Sequence, residues 1–318
     1  MDNRGQGRPQ AQFRLDWVDV ARGIGIIAVV AGHVWTRGPV RDAIYSFHMP
    51  LFFLLSGMLS RPHPIGAFTK RQLLGQMRPY SIYLLLLVCV DQIVEPLKGQ
   101  RPIFDQWPGD ILPILLGGSW LRGPYTIFWF VPCLMIARIL FNLVSARLPD
   151  PLDRRWSLPL IAMTLLSCVT GWFRASPLGL ITVPMAFILL WIGAAWPRIA
   201  WRNWMIVPLL AVALCGLCGL FPTLNMKAAD YGWPLLSVGA AVATSFLTFR
   251  LSALIAPGAG PLAAIGRASM IIMYCHVAVI HYLTPYMTKY ALFAIALIAP
   301  WALWKVISRS PTASRWML

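Results

Sequence analysis

The run DWVDVARGIGIIAVVAGHVW (residues 16–35) decides how the rest of the chain is read. It is apolar enough to sit in lipid, yet Asp19, Arg22 and His33 stand inside it or at its edge. Arg22 and His33 are 11 residues apart. On a helix that is close to three full turns, so both side chains fall on one face, about 16 Å apart along the axis. Asp19, three residues before Arg22, is on the same side and close enough to pair with it. A charge at the centre of a membrane helix costs at least about 2.5–3.5 kcal/mol, so such residues normally face protein or a water-filled cavity. Snorkelling would explain Arg22 alone, and a hydrogen-bonded core position would explain His33 alone. Their shared face favours a joint function.

Composition carries the membrane reading through the whole chain. The chain is 58% hydrophobic, and only 12% of its residues are charged. A soluble domain would carry about twice that charge. We therefore expect an all-α, polytopic membrane protein with one transmembrane domain. The net charge of +16 does not indicate nucleic acid, because the basic residues are scattered through short loops between apolar runs. They face membrane lipids on the cytoplasmic side. The six cysteines are Cys89, Cys133, Cys168, Cys215, Cys218 and Cys275. Cys215 and Cys218 form a C-x-x-C, but inside an apolar helix and without partner ligands, so no metal site is expected. No sequence feature sets an oligomeric state.

A helix needs about 20 residues to cross the hydrocarbon. That ruler predicts ten spans, at 17–36, 42–60, 79–97, 125–146, 157–173, 178–196, 204–220, 234–250, 268–285 and 290–307. Residues 1–16 form an N-terminal tail, 17–307 the transmembrane domain and 308–318 a C-terminal tail. WPGDILPILLGGSW (107–120) is too short and too broken by Pro and Gly to cross, and is read as re-entrant or interfacial. With the N-terminus inside, the inner segments hold seventeen Lys and Arg against eight in the outer ones. The positive-inside rule thus predicts both termini in the cytoplasm. The first run carries charges and lacks a small-residue cleavage site, so it is read as retained. No internal repeat is visible, which weighs against a transporter built from inverted repeats.

Histidines gather in the spans and arginines at their inner ends. His48 lies in the second span and His276 in the ninth, with His281 further out; only His63 is in an inner loop. Lys70, Arg71 and Arg78 cluster in the inner segment RPHPIGAFTKRQLLGQMRPY (61–80), where the phosphates of a cytosolic cofactor could dock. A channel with a cationic inner mouth and histidines further in suits an anionic donor from the cytosol and a neutral acceptor outside.

Five segments, in order, resemble the acyltransferase 3 family of integral-membrane O-acyltransferases, in particular its fucose 4-O-acetylase-like branch. They are LDWVDVARGIGIIAVVAGH (15–33), FHMPLFFLLSGML (47–59), KRQLLGQMRPY (70–80), FWFVPCLM (128–135) and IGRASMIIMYCH (265–276). The resemblance implies ten membrane helices and acetyl-CoA or another acyl-CoA as co-substrate, with no tightly bound cofactor. It implies an acceptor hydroxyl on a surface polysaccharide or lipid-linked glycan, and a bacterial cytoplasmic (inner) membrane. By position it marks His33 and Arg22 as essential. Arg71 and Arg78 stand seven apart, wider than the closely spaced pair of other branches.

Acyl transfer needs a base for the acceptor hydroxyl, a stabiliser for the oxyanion, and a thioester held in line. We assign the base to His33, with a covalent acyl-histidine as a variant. Arg22, steered by Asp19, would bind donor phosphate or hold the helix face in register, with Lys70, Arg71 and Arg78 as further donor contacts. His48 and His276 are candidates for hydroxyl or oxyanion contacts. Trp129, with Trp120, Tyr125 and Trp233, would line a sugar-binding mouth or belong to an interfacial belt, the belt being favoured. The competing class is a transporter or glycan flippase that uses the same charges without acyl chemistry.

Overall fold

A computed structural model describes residues 9–173 and 175–318, with side chains from Asp16 onward. Helix α1 (Pro9–Val34) is followed by short α2 (Pro39–Tyr45) and α3 (His48–Met58). The long α4 (Ile65–Leu97) leads through an irregular stretch, which holds α5 (Ile111–Leu116), into α6 (Phe130–Ser145). Then come α7 (Ser157–Thr170), α8 (Val183–Ala195), α9 (Ile206–Leu217), α10 (Pro234–Ile255) and α11 (Gly260–Arg267). The chain closes with α12 (Ser269–Leu283), α13 (Lys289–Ser308) and α14 (Pro311–Met317). The described residues contain no strand, only an isolated bridge between Asn225 and Asp230. Start signals are local: α2, α10 and α14 open on proline, and the Thr288 and Ser310 hydroxyls accept from Ala291 N and Ala313 N to cap α13 and α14.

Six helical segments among the described residues are long and apolar enough to cross a membrane. They are Asp16–Val34, Ile65–Leu97, Gly123–Ser145, Pro177–Arg198, Pro234–Gly258 and Lys289–Ser308. The pair Gly260–Arg267 and Ser269–Tyr286, bent by 76°, makes a seventh if it is one span. At the other three expected positions the helices are shorter. Helices α3, α7 and α9 have 11, 14 and 12 residues, or about 16–21 Å against a hydrocarbon thickness of about 30 Å.

The second expected span, 42–60, is broken, and the reason is Pro50. In one continuous helix Pro50 would leave the Ser46 carbonyl without a donor and clash with it. Instead the backbone leaves the helical region at Phe47 (φ −144°), so Pro50 sits in the first turn of α3, where no N–H is needed.

Lipid-facing and protein-facing surfaces follow the membrane pattern. Leu158 on α7 and Leu235 on α10 are 75% and 90% exposed, whereas His276 and Asp91 are fully buried. Glycines set the two closest helix crossings. A Cβ on Gly57 of α3 would come within 2.0 Å of the Leu190 carbonyl on α8, and one on Gly193 within 2.1 Å of the Leu54 carbonyl. A Cβ on Gly266 of α11 would lie 1.7 Å from the Asp19 carbonyl, and one on Gly23 of α1 2.3 Å from that of Leu262. Backbones this close admit only glycine.

The expected tails are helical where described: α1 begins at Pro9, ahead of the expected start at 17, and α14 occupies most of 308–318. Within 107–120 the chain forms six-residue α5, with Leu112 and Leu115 exposed, and a single 3-10 turn at Gly118–Trp120.

Candidate functional site

A cavity of about 500 Å³ runs through the bundle. At one end it is lined by His33 from α1, Arg41 and Tyr45 from α2, and His48 from α3. The segment Thr126–Val131, including Trp129, forms a wall, and Lys227 closes in from the loop between α9 and α10. Towards the other end stand Gln76 from α4, Arg138 from α6 and Ser269 from α12.

Two of the span histidines meet across the bundle. His33 and His276 are in ring contact, with centroids 5.1 Å apart. His276 Nδ1 lies 2.8 Å from the carbonyls of both Ile272 and Met273, and His48 Nδ1 lies 2.9 Å from that of Ile44. A carbonyl only accepts, so Nδ1 carries the proton in both rings and Nε2 is left with its lone pair. His276 Nε2 is buried without a partner. When these rings are neutral, their Nε2 atoms are left as acceptors, and the His276 ring lies against that of His33.

At the other end, Arg138 lines both the main cavity and a second pocket of about 40 Å³. The small pocket also holds Arg61, His63, Phe68 and Arg71. Its volume equals a few waters at about 10–15 Å³ each, which suits a phosphate-sized group. The guanidinium carbons of Arg71 and Arg138 lie 5.5 and 5.9 Å from the centre of the Phe68 ring, on which His63 also stacks. The Asn142 side chain grips the His63 backbone twice, at 3.0 and 3.1 Å, and fixes this loop to α6. Arg138 Nε is buried without a partner, and neither lining contains a carboxylate. Both pockets are thus set for anionic or neutral ligands.

Other sequence-based candidates fall elsewhere. Asp19 pairs with Arg22 at 3.5 Å and with Arg267 at 3.8 Å, and these three residues line neither pocket. Their place is the α1–α11 crossing, away from His33. Lys70 is exposed and Arg78 packs its guanidinium on Trp316 of α14, 5.0 Å from the ring centre. Of the four expected donor contacts only Arg71 reaches a pocket. The belt reading of the aromatics fails for two of them: Tyr125 is fully buried and donates to the Leu87 carbonyl at 3.3 Å, and Trp129 is buried on the cavity wall.

Sequence reading passed over Arg138 and Lys227. Arg138 had a signal, an arginine inside a span. Lys227 had none, since in sequence it reads as one more topology charge in a loop, like Lys98 and Lys289. Also unforeseen is the group of Asp91, Glu95 and His281, whose ligand atoms lie within 4.8 Å of one another. Asp91 accepts from Tyr282 at 2.9 Å and from Ile103 N at 2.7 Å; Glu95 pairs with Lys98 at 3.1 Å and His281 at 3.5 Å. These contacts make it a strut joining α4, α12 and the following loop.

Fold and site together define an all-α integral membrane protein with a buried imidazole cluster and a separate cationic pocket, joined by one cavity. A family model described as an acyltransferase domain, Acyl_transf_3, matches residues 15–307. The chain belongs to the acyltransferase 3 family, and it is a membrane acyltransferase. No curated protein and no solved structure matches it.

Proposed function

We propose that this acyltransferase moves an acyl group, acetyl in the simplest case, from cytosolic acyl-CoA to a hydroxyl of a surface polysaccharide or lipid-linked glycan. In this reading it sits in a bacterial cytoplasmic membrane, with both termini inside and ten helices in the bilayer, three of them short. The carrying observation is that one cavity is lined by His33 and His48 at one end, with His276 in ring contact with His33, and at the other by Arg138, whose Nε is buried without a partner.

Arg138 and Arg71 suit the donor phosphates, since guanidinium forks match phosphate oxygens. The segments on that side carry most of the Lys and Arg, which favours the cytosol. His33 takes the proton of the acceptor hydroxyl as its oxygen attacks the thioester carbonyl. The C–O bond forms, the tetrahedral oxyanion collapses, the C–S bond breaks, and the imidazolium returns the proton to the leaving thiolate. His276, His48 and Trp129 provide acceptor contacts. Asp19 and Arg22 hold the α1–α11 crossing and touch no reacting atom.

The test is acyl transfer by purified protein from radiolabelled acetyl-CoA, with crude glycan lipids as acceptor, wild type beside His33→Ala. Label reaching the glycan in wild type alone supports the assignment. Normal transfer by a folded His33→Ala protein sinks it. No transfer by folded wild type moves the reading to a transporter or flippase.

A further inference from the structure

We infer that Lys227 is a catalytic residue, whose ammonium stabilises the oxyanion formed when the acceptor hydroxyl attacks the thioester beside His33. This rests on the acyl-transfer reading above.

The loop that carries Lys227 is built to hold it inside. Asn225 and Asp230 exchange backbone hydrogen bonds at 2.9 and 3.1 Å, and Ala229 between them adopts a left-handed conformation (φ 53°). Thr182 Oγ1 donates to the Met226 carbonyl, which ties the loop to the start of α8. Stapled this way, the loop places Lys227 on the wall of the cavity that His33 also lines.

Two of the three ammonium protons are committed, to the Leu121 carbonyl at 3.0 Å and Thr126 Oγ1 at 2.8 Å. One N–H remains. No carboxylate lines the cavity, and Lys227 forms no ion pair among the described residues. A topology charge needs only a place in the loop and would keep its head in water. Lys227 is partly buried, and holding an ammonium there among neutral acceptors costs free energy unless an anion arrives. The tetrahedral intermediate is such an anion, and a donor already fixed by two hydrogen bonds needs no reorganisation to meet it.

Burial pushes the Lys227 ammonium down to about 8. The protonated form is the donor, so activity holds below that pH and falls as pH rises through it. The titratable and charged groups around the same end are His33 on α1, Arg41 and Tyr45 on α2, His48 on α3 and His276 on α12, with Asp230 on its own loop.

The experiment is steady-state transfer from acetyl-CoA by the full chain in detergent, comparing wild type, Lys227→Met and Lys227→Arg. Lys227→Met is expected to lower kcat and kcat/KM together, by about 10²–10³-fold, with donor KM within about threefold of wild type. The wild-type kcat/KM profile should show an alkaline limb near pH 8, and Lys227→Arg, whose charge does not titrate there, should move it upward. A Lys227→Met protein with kcat within threefold of wild type, or with a change in KM alone, overturns the inference. So does a wild-type profile flat through pH 8, a readout that stands even if a variant fails to fold. No transfer by folded wild type at any pH overturns the acyl-transfer reading itself, and the inference falls with it.

Discussion

At the scale of the residue, burial and lack of partners separate the functional side chains from the structural ones. Arg138 and Arg78 are both cations near the same end of the bundle, but Arg78 rests on Trp316 while Arg138 Nε is buried and unpaired. Charge-assisted hydrogen bonds are worth about 1.5–3 kcal/mol. Arg138→Met should therefore weaken acyl-CoA binding by about 10- to 100-fold, whereas Lys70→Met and Arg78→Met should change it by less than about threefold, as read by equilibrium binding of labelled acyl-CoA. Equal losses for all three would return the donor site to the exposed basic segment. The placing of Arg22 and His33 on one helix needs only the helical repeat, but that Arg22 turns to Asp19 at the α1–α11 crossing and lines neither pocket was not legible. Nor was the place of Lys227, since its burial depends on a loop stapled by contacts to segments about 45 and 100 residues away in the chain.

At the scale of the element, close glycine crossings hold the helices that carry the histidines. Gly266 lets α11 press on α1 and brings Arg267 to Asp19. Gly266→Val forces these backbones apart, and overpacking of this kind costs about 1–3 kcal/mol. It should lower the melting temperature in detergent; an unchanged melting curve would contradict the crossing. At the opposite end of α12, Tyr282→Phe removes the hydrogen bond to Asp91 and should cost about 0.5–1.5 kcal/mol, more if the carboxylate is left unsatisfied. The helices themselves were largely readable from apolar runs. The break before α3 was readable too, because Pro50 forbids a continuous helix, but a ruler of hydropathy alone runs across it. The 76° bend between α11 and α12 had no comparable signal, since neither proline nor a long polar run marks it.

At the scale of the whole molecule, the bundle joins a cationic pocket to an imidazole cluster through its interior. Cysteine labelling tests the proposed orientation. In a background free of native cysteines, Lys289→Cys should react with an impermeant maleimide in intact cells, and Arg155→Cys only after permeabilisation. The reverse pattern would invert the assignment of donor and acceptor sides. The membrane class was legible in sequence because lipid imposes apolar helices on every crossing segment. The cavity was not, because its lining comes from segments spread from Ile26 to Met273.

The most direct measurement is transfer across a sealed bilayer. Protein is reconstituted in vesicles with radiolabelled acetyl-CoA on the side of Arg71 and the glycan acceptor only on the other, wild type beside His33→Ala. The expected result is label on the acceptor in the wild-type vesicles, with free CoA left on the donor side, and none with His33→Ala. Label that reaches acceptor only when both substrates share one compartment, or that crosses equally well with His33→Ala, would contradict a cavity that carries the acyl group to His33.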